Sequence, residues 1–133
     1  MTPSNPLAVL VVDDNRGAAD SLAAILKSQR HDVRTASSAA DVGRVVGTGF
    51  RPGVVLMDIG LPGTDGYAVA RELCDALGER PLLIAVTGHQ HLDDRSDREG
   101  FDLHFLKPVD PALLVEVLTV YAQRGGSVWA AGT

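Results

Sequence analysis

With a single cysteine, Cys74, the chain has no partner for an internal disulfide. The thiol adjoins the apolar stripe Val69, Ala70, Leu73 and Leu77, which suits a small core residue better than a reactive group. Basic runs are also missing, and the formal net charge is −5, so the sequence carries no electrostatic footprint for direct nucleic-acid binding or for an anionic membrane. No apolar run approaches the ~18 residues that a bilayer-spanning helix needs. The opening MTPSNP lacks the charged and apolar regions of a signal peptide. Together these absences point to a reduced, cytoplasmic setting. No internal repeat or linker breaks the pattern, and 133 residues fit one domain able to bury a core without disulfides or structural metal.

What the chain does contain is an alternation of short apolar runs with helical periods. The runs LAVLVV (7–12), HDVRTA (31–36), GVVLM (53–57), PLLIAV (81–86) and DLHFL (102–106) read as strands, three of them apolar enough to be covered on both faces. Between them, Ala19, Leu22, Ala23 and Leu26 recur at helix spacing, as do Val42, Val45 and Val46, and then Val69, Ala70, Leu73 and Leu77. Leu114, Val117, Leu118 and Tyr121 mark a last helix, opened by Asp110 as a cap and Pro111 in the first turn. Such alternation implies an α/β fold with a parallel sheet and helices on both faces. The expected domain spans 7–124, between loose tails at 1–6 and 125–133 in which Trp129 dangles.

Open sheets of this kind bind ligands outside the carboxyl ends of their strands, and the sequence loads that edge. The first strand ends in VVDDN, giving Asp13 and Asp14; the third in Asp58; the fourth in AVTG, giving Thr87 and Gly88; the fifth in FLKP, giving Lys107. Each has a plain structural reading. Asp58 can start a turn, Asp14 can cap a helix, Thr87 can bond a loop and Lys107 can sit in solvent. Their convergence on one edge argues against all four readings holding at once. Three carboxylates so close repel one another, so protons or a cation must offset them. A hard, oxygen-ligated dication suits the set, and Mg²⁺ shares its shell readily with water and phosphate. Lys107 adds a point charge for Asp58 or for a phosphoryl oxygen. In that setting Asp58 is a nucleophile that forms an acyl phosphate, helped mainly by positioning and electrostatics.

The acidic pair before a helix, MDIGLPGTDG after the third strand, VTG after the fourth and FLKP after the fifth resemble, in order and spacing, the receiver domains of two-component signalling. The resemblance runs from about Leu7 to about Tyr121. It implies a flavodoxin-like (βα)5 doubly wound fold with strand order 2-1-3-4-5, and phosphoryl transfer to Asp58 from a phosphohistidine on a histidine kinase or histidine phosphotransfer protein. It further implies that Asp14, Asp58 and the carbonyl of Gly60 bind Mg²⁺, with Asp13 acting mainly through water. Thr87 and Lys107 would contact phosphoryl oxygens, and the backbone amides of Ile59 and Gly88 would complete the cradle. The Lys107–Pro108 bond is expected to be cis. Such a domain is no enzyme beyond its own phosphorylation and dephosphorylation, and a weak homodimer is an expected association.

Several features bear on regulation, and two of them, His104 and the segment 89–100, depart from the usual receiver pattern. The switch position before the lysine, with Thr87 as its counterpart, holds His104 instead of Tyr or Phe; the neighbouring Phe105 points to the opposite face and cannot substitute. Histidine there, with the sequence around it, is similar to receivers of hybrid histidine kinases. Gly60 has no side chain to orient an attacking water, so phosphoryl lifetime is expected to depend on His89. The segment 89–100 has one aliphatic residue, Leu92, and little apolar face to pack, so it is expected to be short, displaced or mobile before phosphorylation. Starting at Met1 favours a free-standing regulator over the excised end of a hybrid kinase. Among alternatives, a phosphohydrolase with an aspartyl nucleophile would carry Asp-x-Asp after the first strand and a cap insertion, and a flavin binder would place acids against its phosphate. A degenerate docking scaffold would not need the full set Asp13, Asp14, Asp58, Thr87 and Lys107.

Overall fold

Valine, leucine and isoleucine in unbroken short runs give strands that bury both faces, and the central strands here do so. The computed structural model describes residues 6–60, 65–88 and 101–124. Within them lie β1 (Ala8–Val12), α1 (Arg16–Ser28), β2 (Asp32–Ala36), α2 (Ala39–Gly47), β3 (Val54–Asp58), α3 (Gly66–Leu77), β4 (Leu82–Thr87), β5 (Leu103–Leu106) and α4 (Pro111–Gln123). All strand pairs are parallel, in the order β2-β1-β3-β4-β5. The fold is thus the flavodoxin-like doubly wound α/β arrangement, and the crossover from β2 back past β1 to β3 opens a crevice at the carboxyl ends of β1 and β3. The segment 89–100, with its expected weak helix and His89, and the tail 125–133 with Trp129 lie outside the described residues.

The sheet separates two cores. Leu10, Val12, Val55, Met57, Leu83 and Ala85 point toward α2 and α3, while Val9, Val11, Leu56, Ile84, Val86 and Phe105 point toward α1 and α4. This is the period-2 alternation of a pleated strand read across every neighbour in register. Ala19, Ala23 and Leu26 of α1, and Leu114, Leu118 and Tyr121 of α4, fill the second core at helix spacing. Cys74 packs, half-buried, against the first. Every described helix opens on a side-chain cap: Asn15, Ser38, Asp65 and Asp110 each accept a hydrogen bond from an N–H of the first turn. Asp110 followed by Pro111 opens α4 as its sequence indicates. The cap of α1 is Asn15, so Asp14 is left for another purpose.

Candidate functional site

The alternation that sorts the core also sorts the polar strand ends. Asp58 continues the series Val54, Leu56 and shares their side of the sheet, toward α1 and α4. Asp13, two residues beyond Val11, and Lys107, two beyond Phe105, fall on the same side by the same count. Thr87, two beyond Ala85, falls on the other side, as does His104, whose register partner is Ala85. Asp13, Asp58 and Thr87 are buried, Lys107 is half-buried, and Asp14 is exposed.

Lys107 links the carboxylates. Its Nζ donates to Asp58 Oδ2 at 2.8 Å and lies 3.5 Å from Asp13 Oδ2. Asp58 Oδ1 accepts the Gly60 N–H at 2.8 Å, and Asp13 Oδ1 accepts the Asn15 N–H at 2.9 Å, so each buried acid is turned by its own following loop. Asp13, Asp14 and Asp58 offer carboxylate oxygens that all lie within 4.8 Å of one another. Burial pushes the Asp13 carboxyl above the usual aspartate range; the Asn15 N–H and the Lys107 charge pull it back, and the charge of Asp58 raises it further. For Lys107, burial alone would lower the pKa, but the hydrogen bond to Asp58 and the charges of Asp58 and Asp13 outweigh it, so the ammonium is held above its ordinary value. The site holds more negative charge than one lysine offsets.

The remaining residues singled out in the sequence gather at the same edge. Lys107 N–H donates to the Thr87 carbonyl at 2.8 Å, fixing the end of β5 against the end of β4. Thr87 Oγ1 lies 3.2 Å from the Gly88 carbonyl oxygen as a donor. The Ile59 N–H is held at 3.2 Å by the carbonyl of Val86. The Lys107–Pro108 peptide is cis. His104 is exposed on β5, whereas Phe105 is buried among Val86 and its neighbours, so the two do point to opposite faces. Beside the cluster, a groove of about 630 Å³ runs between α1 and the start of α4, walled by Leu22, Ile25, Val109 and Pro111.

Sequence reasoning missed two residues that support this edge. Asn15 both caps α1 and turns Asp13, a double duty that its position directly after the acidic pair signals in hindsight. Gly66, at the start of α3, backs directly onto Ile59, and no local pattern marks a contact of that kind.

Fold and site define a doubly wound α/β protein with a lysine-bridged acidic cluster at the topological switch point. The chain belongs to the response regulator receiver domain family, whose family model matches residues 9–119. It is 34% identical over 113 residues to the protein PilH of Pseudomonas aeruginosa, a match that covers 83% of this chain and 93% of PilH. It is 28% identical to the sensor histidine kinase RcsC of Escherichia coli over 93% of this chain but 13% of that protein. Among solved structures, a CheY-like response regulator receiver domain protein from Methanospirillum hungatei superposes with a TM-score of 0.76 at 26% identity, covering 90% of this chain and 95% of that one. NtrX from Brucella abortus does so with a TM-score of 0.78 at 28% identity, over 91% of this chain and 27% of the NtrX chain. The protein is thus a receiver domain of two-component signalling. Among the described residues, no helix is long and apolar enough to cross a membrane.

Proposed function

We propose that this receiver domain, over residues 7–124, accepts a phosphoryl group on Asp58 from a phosphohistidine of a histidine kinase or histidine phosphotransfer protein in the cytoplasm. One observation carries the reading: a buried Asp58 carboxylate held at 2.8 Å by Lys107, with two further carboxylates within 4.8 Å. In the transfer, an Asp58 oxygen attacks phosphorus, the new P–O bond forms as the P–N bond breaks, and the electron pair returns to the imidazole. Lys107 stays close to the transferred group and offsets its charge. The Thr87 hydroxyl turns from the Gly88 carbonyl to donate to a phosphoryl oxygen, and the Gly88 N–H donates to another. The Ile59 N–H takes part by sharing or leaving its bond to Val86. None of these residues turns over a separate substrate, so the role is signalling and not enzymatic.

The donor set fits Mg²⁺: all its ligand atoms are oxygens, they converge, and their surplus negative charge calls for a dication. Asp14, Asp58 and the Gly60 carbonyl would hold the ion, with Asp13 acting through water. When bound it supplies the charge that a phosphoryl group needs among carboxylates. The test is incubation with acetyl phosphate, with and without Mg²⁺, followed by intact-mass measurement. A single phosphoryl increment is expected only with Mg²⁺ and not in Asp58→Asn. A phosphorylated Asp58→Asn protein removes the assignment, and an unreactive wild type points to a docking scaffold.

A further inference from the structure

The contact between Gly66 and Ile59 ties the start of α3 to the loop that follows the acceptor strand. A Cβ built on Gly66 would stand 2.9 Å from Ile59 Cα and 3.4 Å from both Ile59 Cβ and Cγ2. The nearest atom is backbone, so no rotamer change of Ile59 relieves the overlap; one main chain or the other has to move. By contrast, a Cβ on Gly43 or Gly47 in α2 would meet nothing within 4 Å.

Which side yields follows from how each is held. The helix buries Gly66, Tyr67, Val69, Ala70, Leu73 and Leu77, its first turn is capped by Asp65 on the Tyr67 N–H at 3.0 Å, and Tyr67 meets Phe101 edge to face at 5.7 Å. Among the described residues, Ile59 and Gly60 are held by two N–H bonds, to Val86 at 3.2 Å and to Asp58 Oδ1 at 2.8 Å, and by the half-buried Ile59 side chain packed at the margin of the first core. A helix face that buries six residues resists displacement more than the margin of a loop does. The turn gives way, and with it the Gly60 N–H that aims Asp58 Oδ1.

We infer that Gly66 is a positioning residue for phosphoryl transfer: by lacking a Cβ it lets α3 press against Ile59 and thereby sets the place of the Ile59–Gly60 backbone beside Asp58. The inference rests on the proposed acceptor role of Asp58. Restoring ordinary contact shifts the Ile59 backbone by about 0.5–1 Å, beyond the tolerance of about 0.5 Å within which reacting groups keep productive geometry. Misplacement of about 1 Å can cost about 10²-fold in rate.

The test uses Gly66→Ala with Gly43→Ala as the control. Amide resonances of Asp58, Ile59 and Gly60 are followed in the unphosphorylated proteins, and acetyl-phosphate labelling with Mg²⁺ is timed by intact mass well below the unfolding temperature. Gly66→Ala is expected to stay folded, because alanine forms helix more readily than glycine. Its three amides move, and its labelling slows by about 10- to 100-fold; Gly43→Ala matches wild type in both. A Gly66→Ala protein whose amides stay in place, or which labels at the wild-type rate, overturns the inference. One that unfolds overturns it as well, since the weight of the contact would then lie in the packing of α3. Failure of wild type to label would count against the acceptor reading, while the amide shifts would still decide whether Gly66 sets the turn.

Discussion

At their carboxyl ends the strands present two unlike sides. Toward α1 and α4 stand Asp13, Asp58 and Lys107, joined by bonds of 2.8 and 3.5 Å; toward α2 and α3 stand Thr87, buried, and His104, exposed. One side concentrates charge, and its geometry is set by electrostatics that must be offset locally. The other carries a hydroxyl at the end of β4 and an imidazole on β5. Under the proposed acceptor role of Asp58, the contrast divides the edge into a charged side that bonds phosphorus and a side that Thr87 links to it. Thr87 is the hinge of that division, because its carbonyl bonds the Lys107 N–H while its side chain faces the opposite way.

Breaking the charged side should have the largest effect. Lys107→Met removes the cation nearest Asp58 and is expected to slow acetyl-phosphate labelling by about 10²–10³-fold, the scale seen when one preorganised donor is lost. Without Lys107 the carboxylates repel unopposed, so millimolar Mg²⁺ should raise the unfolding temperature more in this variant than in wild type, as a ligand of the folded state does by mass action. Equal shifts would mean that the three acids do not share one ion. Thr87→Ala comes next. It removes one hydroxyl donor to a charged group, worth about 1.5–3 kcal/mol, so labelling should slow by about 10- to 100-fold with the Mg²⁺ response unchanged; a changed Mg²⁺ response would join the two sides into one.

His104→Ala should change labelling by no more than about twofold, as befits an exposed position, while altering binding to whatever partner reads the phosphorylated form. A large labelling defect would place His104 on the chemical side. The smallest effect lies away from both sides. His31 is buried where α1 passes into β2, and its Nδ1 accepts the Leu7 N–H at 3.0 Å, which only an unprotonated nitrogen can do. Burial lowers its pKa below the ordinary 6.5. The unfolded chain therefore takes up the proton first as pH falls. Stability from the neutral ring is complete above about 6.5 and is lost as pH drops through the lower folded value. Thermal melts between pH 7.5 and 5 should fall more steeply for wild type than for His31→Gln, by about 1 kcal/mol or less.

Much of this was legible because the fold repeats a few local rules. Apolar runs located each strand to within a residue, and the helix-spaced apolar residues fall inside each described helix. Asp58, read from the sequence as the end of the third strand, is the last residue of β3 and pairs with Val86. That placement ties the carboxylate to the pleat and so decides its side. The gathering of Asp13, Asp14, Asp58, Thr87 and Lys107 was legible for the same reason: each ends a strand or follows one by a residue or two, and parallel strands bring those ends together. Contacts between residues that obey no common period were not. His31 read as the first residue of a strand, yet it staples the start of β1 across 24 positions. Asp102 read as part of a strand, yet its carboxylate accepts the Leu83 N–H at 2.9 Å and pairs with Arg80 at 3.0 Å. Gly66 is visible only once α3 and Ile59 are laid side by side.

Cys74 gives the molecule a built-in clock for its own breathing. The thiol sits half-buried on α3 against the α2 and α3 core, and burial, with the charges of Asp75 and Asp102, raises its pKa despite Arg80. Thiolate, not thiol, attacks an alkylating reagent, so the folded chain should react slowly and the opened chain fast. As the sequence has one cysteine, each molecule gains one increment of mass, and the rate of that gain under native conditions measures how often α3 lifts from the sheet. The helix that backs the loop after β3 thus reports its own detachment, with no foreign label introduced near the carboxylates.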